Sequence, residues 1–276
     1  MKSIYTKEML DYMIANYKTM EYSEIGKHLG LTSKQVRTKM SQLGYRKNRT
    51  FNNRYFEYID NSTKAYYLGF IFADGWICAN SKPRNYEFGM ELQSGDRYIL
   101  DKLNEELGGI HKIYHTEPSK VIICGKEVNR GHSDTLRVYS KPLVMDLMSH
   151  GIETNKSQKD VVPNVSDEFF FDFLRGYIDG DGCYWNTIRR PNDIYMHITC
   201  ASKVVLEYLQ KRLKNYEIKT QIYTETDKKH RLMCTNYNDM HSLINKMYYS
   251  DDVICLERKR KLIEKYLIDR EVVRTA

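Results

Sequence analysis

The chain has 276 residues, 41% of them hydrophobic, and its 43 lysines and arginines exceed its 36 acids to give a formal charge of +7. This composition is globular and excludes a wholly disordered chain, a collagen and a coiled coil. There is no run of eighteen apolar residues, and the first ten residues lack the apolar core of a signal peptide, so we expect neither membrane span nor export. Six cysteines without a C-x-x-C pair suggest reduced thiols in a cytoplasmic protein rather than structural zinc.

The excess positive charge lies at the start of the chain. Residues 1–54 hold eleven basic and four acidic residues, whereas residues 55–276 hold 32 of each. This asymmetry predicts a small basic module attached to a balanced core, with nucleic acid as the partner. A solvated charged surface is the plainer alternative.

Apolar spacing predicts three short helices at residues 6–17, 22–30 and 32–44. They favour a helix-turn-helix domain over residues 1–48, and the segment resembles the small Myb-like or resolvase-like modules of phage proteins. A plain three-helix bundle is the alternative. In the third helix, four polar residues are predicted to contact DNA in the major groove: Lys34, Gln35, Arg37 and Thr38.

A basic, Asn-rich and aromatic stretch follows, and we assign residues 49–63 as a linker. It could be a surface connector. It could equally be an arm in the minor groove of DNA, through Arg46, Lys47, Arg49 and Arg54.

The rest of the chain contains an internal repeat. Residues 67–75 read YLGFIFADG and residues 174–182 read LRGYIDGDG, with Gly third, Ile fifth, Asp eighth and Gly ninth in both. The segments after each motif also align, which predicts two homologous halves, 64–160 and 161–276.

Each half is predicted to fold as αββαββα, with one sheet face packed on helices and the other polar. The protein is therefore predicted to be of the α+β class. The expected strands are 76–80, 86–93, 111–124 and 134–140 in the first half and 183–189, 194–200, 219–226 and 231–235 in the second.

The two motif segments are predicted to be helices that pack against each other. Small residues four apart allow two helix backbones to approach closely, and these residues are Gly69, Ala73, Gly176 and Gly180. Such packing would place Asp74 and Asp181 side by side at two helix C-termini, where both carboxylates ionise together only with difficulty. A divalent metal would compensate. Magnesium suits ligation by these carboxylates, by the backbone carbonyls of Ala73 and Gly180 and by water, with manganese as a substitute.

The paired motifs and the surrounding repeat resemble the LAGLIDADG homing endonucleases, in the single-chain form with two motifs. The resemblance covers residues 64–270. It implies pseudo-twofold halves with saddle-shaped antiparallel sheets in the DNA major groove, a monomer, and metal-dependent cleavage of both strands by Asp74 and Asp181. The two motifs differ at position six, which is Phe72 in the first half and Asp179 in the second.

The resemblance implies further catalytic residues. Lys156 resembles the family's active-site lysine. Its counterpart in the second half would be Lys259, with Arg258 as the alternative. Gln93 resembles the glutamine that holds a water molecule in the family. Each could also be an ordinary surface residue.

We predict a sequence-specific double-strand DNA endonuclease, with a transcriptional repressor or RNA maturase on the same fold as the alternative. His111 and His115 could also share a strand face as a metal pair, although no other ligand is evident. The residues predicted to read DNA through the sheets are Asn80, Lys82, Arg84, Asn85, Arg137, Asn186, Arg189 and Arg190.

Overall fold

A computed structural model of the chain forms two compact units, residues 1–50 and residues 51–276. No helix among the residues it places could span a lipid bilayer. The described residues are 5–20, 22–45, 50–79, 86–123, 126–154, 160–187 and 190–264.

The smaller unit contains three helices, α1 (Lys7–Asn16), α2 (Tyr22–Leu29) and α3 (Ser33–Gln42). They agree with the three predicted helices to within two residues at each end. Gly30 and Gly44 follow α2 and α3 with φ values of +68° and +80°, the left-handed conformation that favours glycine after a helix. Each helix contributes at least one fully buried apolar side chain to the core of this unit: Met13, Ile25, Val36 and Met40.

Residues 51–60 belong to the larger unit and are not a free surface connector. Tyr55 and Phe56 are buried in its core. The Arg54 guanidinium pairs with Asp146 and Glu57, at 2.6 Å in both cases. Two large aromatic side chains in this stretch are removed from water by packing on the core, so this part of the predicted linker is fixed.

The centre of the larger unit is a pair of helices, α4 (Ser62–Asp74) and α7 (Phe170–Asp181), which pack directly against each other. Both are buried along most of their length. Each is followed at once by a strand that begins with glycine. The sheet of each half therefore starts at the helix pair.

The first-half sheet has the order β1-β2-β6-β3 and is antiparallel throughout. The prediction of one strand over residues 111–124 is wrong, because the chain forms two strands separated by Glu117 and Pro118. Proline has no N–H to donate to the ladder. The strands of this half are β1 (Gly75–Ala79), β2 (Tyr86–Gln93), β3 (Ile113–Thr116), β4 (Ser119–Ile123), β5 (Lys126–Arg130) and β6 (Ser133–Tyr139), of which β4 and β5 form a separate hairpin.

The second-half sheet repeats this plan without the extra hairpin, in the order β7-β8-β10-β9. Met196 and Ile198 face the core, whereas His197 and Thr199 face the other side, as the alternating pattern predicts. The strands are β7 (Gly182–Thr187), β8 (Arg190–Cys200), β9 (Gln221–Thr226) and β10 (Lys229–Cys234).

Helices cover one face of each sheet. The α+β class with two repeated halves is therefore confirmed. The covering helices are α5 (Arg97–Glu106) and α6 (Lys141–Ser149) in the first half and α8 (Lys203–Lys214) and α9 (Tyr237–Met247) in the second, and a further helix, α10, follows at residues 257–264.

Candidate active site

The motif helices approach so closely that glycine is required at their crossing. A Cβ atom on Gly69 would lie 1.9 Å from the backbone oxygen of Phe173, and one on Gly176 would lie 2.0 Å from that of Tyr66. Carbon and oxygen atoms that are not bonded to each other do not approach this closely. The small-residue spacing in the motifs therefore has the physical role that the sequence predicts.

The same packing brings the two motif aspartates to one place. A Cβ atom on Gly180 would lie 2.2 Å from Cβ of Ala73 and 3.2 Å from Oδ2 of Asp74. Gly180 directly precedes Asp181, so the Asp74 carboxylate lies beside the turn that carries the second aspartate. Both aspartates are the last residues of their helices and both are exposed.

The helix ends supply oxygen atoms in addition to these carboxylates. The last carbonyls of an α-helix have no intrahelical partner and carry partial negative charge. Gly75 and Gly182 follow with φ values of −76° and −88°, so the glycines are not needed for a left-handed turn. A Cβ atom on either glycine would instead strike the isoleucine four residues earlier, at 2.7 Å or less from its side chain.

Lys259, which is predicted to be a catalytic residue, lies at the end of α7. Its side chain is 6% exposed, and Nζ donates to the carbonyl oxygens of Ile178, Asp179 and Gly182 at 2.6–2.7 Å. Burial lowers the pKa of this ammonium, against the opposing charges of Asp179 and Asp74. All three N–H groups have backbone acceptors, so Lys259 holds the end of the helix that carries Asp181.

Asp179, at motif position six, faces away from the helix end into the core. Its Oδ2 accepts hydrogen bonds from the hydroxyl of Tyr66 at 2.9 Å and the backbone N–H of Leu256 at 2.7 Å. Its Oδ1 is buried without a hydrogen-bond partner among the described residues. Burial raises the pKa of this carboxyl to about 6, although the two hydrogen bonds and Lys259 favour the ionised form.

Gln93 is exposed at the end of β2, and its amide donates to Oδ2 of Asp96 at 2.8 Å. Asp96 also accepts from Nε of Arg258 at 3.0 Å. The buried carboxylate of Asp96 therefore links Gln93 to Arg258, the alternative to Lys259 as the catalytic cation of the second half. This contact also holds Arg258 against the first half of the unit.

A cleft of about 240 Å³ opens beside Asp181. Ser202 lines this cleft, and its hydroxyl donates a hydrogen bond to Oδ1 of Asp160 at 2.7 Å. Lining residues come from both motif helices and from the end of β8, and include Phe72, Ala73, Tyr177, Asp181, Thr199 and Ser202.

The face of the first sheet that carries no helices presents an aromatic and charged group. The Trp76 indole lies over Gly89, where any side chain would strike the ring. Arg137 lies 6.0 Å from the Trp76 ring and 3.6 Å from the carboxylate of Glu87. Arg137 therefore occupies the predicted face, and Trp76 beside it escaped the sequence prediction.

The corresponding face of the second sheet carries residues that the sequence prediction also missed. Register places Arg231 between Thr199 and Tyr223, and Met233 between His197 and Gln221. The alternation of inward and outward side chains along β9 and β10 could have placed these residues on the open face. Their cross-strand partners become evident only from the strand register. The predicted Asn186 is exposed near the end of β7.

In the smaller unit, Lys34, Arg37 and Thr38 are exposed on the side of α3 away from its core residues. Gln35, which is also predicted to contact DNA, is half-buried. Its side-chain oxygen accepts from the backbone N–H of Thr32 at 2.8 Å, and the Thr32 hydroxyl accepts from the Gln35 N–H, so Gln35 completes a capping box.

Several predicted residues lie outside the part of the chain that the structure describes. Of Arg190 only the backbone is described, as the first residue of β8. The residues outside are Lys156 of the catalytic set and, of the DNA-binding set, Arg46, Lys47, Arg49, Asn80, Lys82, Arg84, Asn85 and Arg189.

The predicted pair of His111 and His115 does not form. His111 precedes β3, and its ring packs edge-on against Phe51, with ring centroids 4.6 Å apart. Burial lowers the pKa of His111.

Comparison with known proteins agrees with this architecture. Residues 168–253 match the family model described as a LAGLIDADG-like domain. A search of curated protein sequences finds no match.

Solved structures extend the likeness to most of the chain. The homing endonuclease I-WcaI bound to its DNA recognition sequence matches with a TM-score of 0.51 and 11% identity, covering 70% of this chain and 84% of that one. A single-residue mutant of I-SmaMI matches with a TM-score of 0.52 and 14% identity over 76% and 92% of the two chains. The meganuclease I-SmaMI bound to uncleaveable DNA with a TTGT central four gives 0.51 and 16% over 76% and 90%. The larger unit therefore has the LAGLIDADG fold.

Proposed function

We propose that the protein is a sequence-specific DNA endonuclease that makes double-strand breaks by metal-dependent hydrolysis of phosphodiester bonds. One observation carries the proposal: two glycine-packed helices end side by side, each in an exposed aspartate. A duplex has two scissile phosphates, and paired sites of this kind match that requirement. The fold shared with I-WcaI and I-SmaMI, a homing endonuclease and a meganuclease with DNA in the structures named, supports the same proposal.

The donor set at the helix ends fits a hard divalent cation such as Mg²⁺. It consists of the carboxylates of Asp74 and Asp181 and the backbone carbonyls of Ala73 and Gly180, all oxygen ligands. When bound there, the metal would lower the pKa of water and stabilise charge on the phosphate. The protein's own contribution is position: the helix pair sets the distance between the carboxylates, and Lys259 holds the end of α7.

Substrate binding is assigned to two surfaces. The open sheet faces offer Arg137, Trp76 and Arg231 as candidates for contacts in the major groove. In the smaller unit, Lys34 and Arg37 on α3 would contact phosphates or base edges, as in a helix-turn-helix module. Two independent surfaces would lengthen the recognised site.

Selective cleavage of a randomised plasmid library, with Mg²⁺ against EDTA, tests the proposal and identifies the site. We expect breaks at defined sequences with Mg²⁺ only. Asp74→Asn and Asp181→Asn should abolish double-strand cleavage and keep the affinity for the selected site. Asp101→Asn, a half-exposed carboxylate on α5, is the matched control and should cleave normally.

Tight binding without cleavage in Mg²⁺ or Mn²⁺ would instead favour the repressor alternative. Deleting residues 1–50 separates the two further. A nuclease directed by its sheets should retain cleavage of its core site, whereas a repressor that depends on the smaller unit should lose recognition.

A further inference from the structure

A group of metal-ligating side chains lies outside the proposed active site, at the base of the β4–β5 hairpin. His115 is in β3, Glu117 follows that strand, and His132 precedes β6. Nε2 of His115 lies 3.4 Å from Nδ1 of His132. The Glu117 carboxylate oxygens lie 3.7 Å from Nε2 of His115 and 3.4 Å from Nδ1 of His132.

These separations match the edges of a tetrahedral metal site. Zinc binds histidine nitrogen at about 2.0–2.1 Å and carboxylate oxygen at about 2.0–2.2 Å, which places neighbouring ligand atoms roughly 3.4 Å apart. Two histidines and one carboxylate leave a fourth position for water. The imidazole ligands favour zinc and similar transition metals over magnesium.

A second group of residues orients the first histidine. Oδ1 of the buried Asp134 lies 3.1 Å from Nδ1 of His115 and 3.0 Å from the guanidinium of Arg97. With the Asp134 carboxylate as acceptor, the proton of His115 lies on Nδ1, and the lone pair of Nε2 faces Glu117 and His132. Metal-binding histidines commonly have such a carboxylate partner.

The position suggests what a metal would do. The main sheet ends at the pair Thr116 and Ser133, and the hairpin ladder begins only at the pair Ser119 and Arg130. Between them the ladder is interrupted on both strands. Glu117 and His132 face each other on the two strands, directly beyond the last pair of the main sheet, so a shared metal ion would join the strands where the ladder stops.

We propose that His115, Glu117 and His132 form a zinc site that clips the base of the β4–β5 hairpin to the first-half sheet. The site is separate from the paired aspartates, and the proposal does not depend on nuclease activity. The bound ion is structural in this role. It fixes the direction of a hairpin that carries Lys120 and Arg130.

Zinc binding to the full chain, stripped with EDTA and dialysed, tests the proposal by calorimetry and equilibrium dialysis. We expect one Zn²⁺ per chain, undisturbed by excess Mg²⁺. His132→Ala and Glu117→Gln should weaken binding at least about 100-fold, and Asp134→Asn by about 10- to 100-fold. His241→Ala, an exposed histidine on α9, is the control and should bind as the wild type does. Circular dichroism checks that each variant is folded.

Two further measurements distinguish this site from adventitious binding. The Co²⁺ complex should show no thiolate-to-metal charge-transfer band, because no cysteine is a ligand. Amides of β4 and β5 should exchange more slowly with zinc in the wild type but not in His132→Ala. The proposal is overturned by absent binding, by unchanged binding in the ligand variants, by a thiolate band, or by hairpin exchange that is indifferent to zinc.

Discussion

The hydroxyl of Tyr66 donates a hydrogen bond to the Asp179 carboxylate at 2.9 Å, across the interface of the two motif helices. Both side chains are fully buried. The bond joins the first turns of α4 to the last turns of α7, and Lys259 donates hydrogen bonds to the backbone carbonyls of Ile178 and Asp179 at the same helix end. The position of Asp181 therefore depends on a buried polar network as well as on the glycine contacts.

Asp179 should make the stability of the larger unit depend on pH. Its pKa is raised by burial from 3.8 to about 6, so the folded state binds the proton more tightly than the unfolded state does. The resulting stabilisation is complete below pH 3.8 and is lost as the pH rises through about 6. The shift corresponds to about 3 kcal/mol.

The variant Asp179→Asn tests this expectation, because asparagine resembles the protonated acid at every pH. Urea unfolding at about pH 4 and about pH 7 should show the variant gaining about 2–3 kcal/mol over the wild type between these values. Asp101→Asn should show no such trend. A difference between variant and wild type that is independent of pH would contradict the assignment.

Gly176→Ala should separate the motif helices. The added Cβ would meet the backbone oxygen of Tyr66 at 2.0 Å, and a backbone atom of a packed helix cannot move aside locally. We expect a decrease of about 1–3 kcal/mol or more in the free energy of unfolding, measured in urea. Cleavage should also fall in the protein that remains folded. Gly95→Ala, where the new methyl group meets nothing within 4 Å, should leave both unchanged.

Lys259→Met should destabilise the end of α7 by removing the donors to three carbonyls. Each buried acceptor without a partner costs about 1–3 kcal/mol, so we expect a decrease of about 2–4 kcal/mol in the free energy of unfolding, measured in urea. Lys261→Met, two residues on and largely exposed, is the control. If Lys259 acted only on the phosphate, its replacement would lower cleavage without lowering stability.

The smaller unit should contribute electrostatically to DNA binding. In the full chain, Lys34→Ala combined with Arg37→Ala should weaken binding and reduce the slope of log affinity against log salt by about 1 for each phosphate interaction that the substitutions remove. Lys7→Ala, exposed on α1, should change neither. Equal salt slopes in the double variant and the wild type would show that Lys34 and Arg37 of α3 do not contact DNA phosphates.

Local sequence pattern determined a large part of this protein. The repeated motif, with glycine at position three and aspartate at position eight, predicted the helix pair and the meeting of Asp74 with Asp181. Alternation along the strands predicted that one face of each sheet packs on helices and that the other is polar. These features follow from the helical period and the strand period, which act over a few neighbouring residues.

Tertiary structure decided the features that depend on chain segments far apart in sequence. The segment around Lys259 resembled a catalytic lysine site, but its ammonium meets the carbonyls of Ile178 and Asp179, 81 and 80 residues away. His115 looked like a partner for His111 and instead lies beside His132, because Pro118 breaks the strand and strand pairing returns the chain at β6. Such distances are set by register and packing, which no local period encodes.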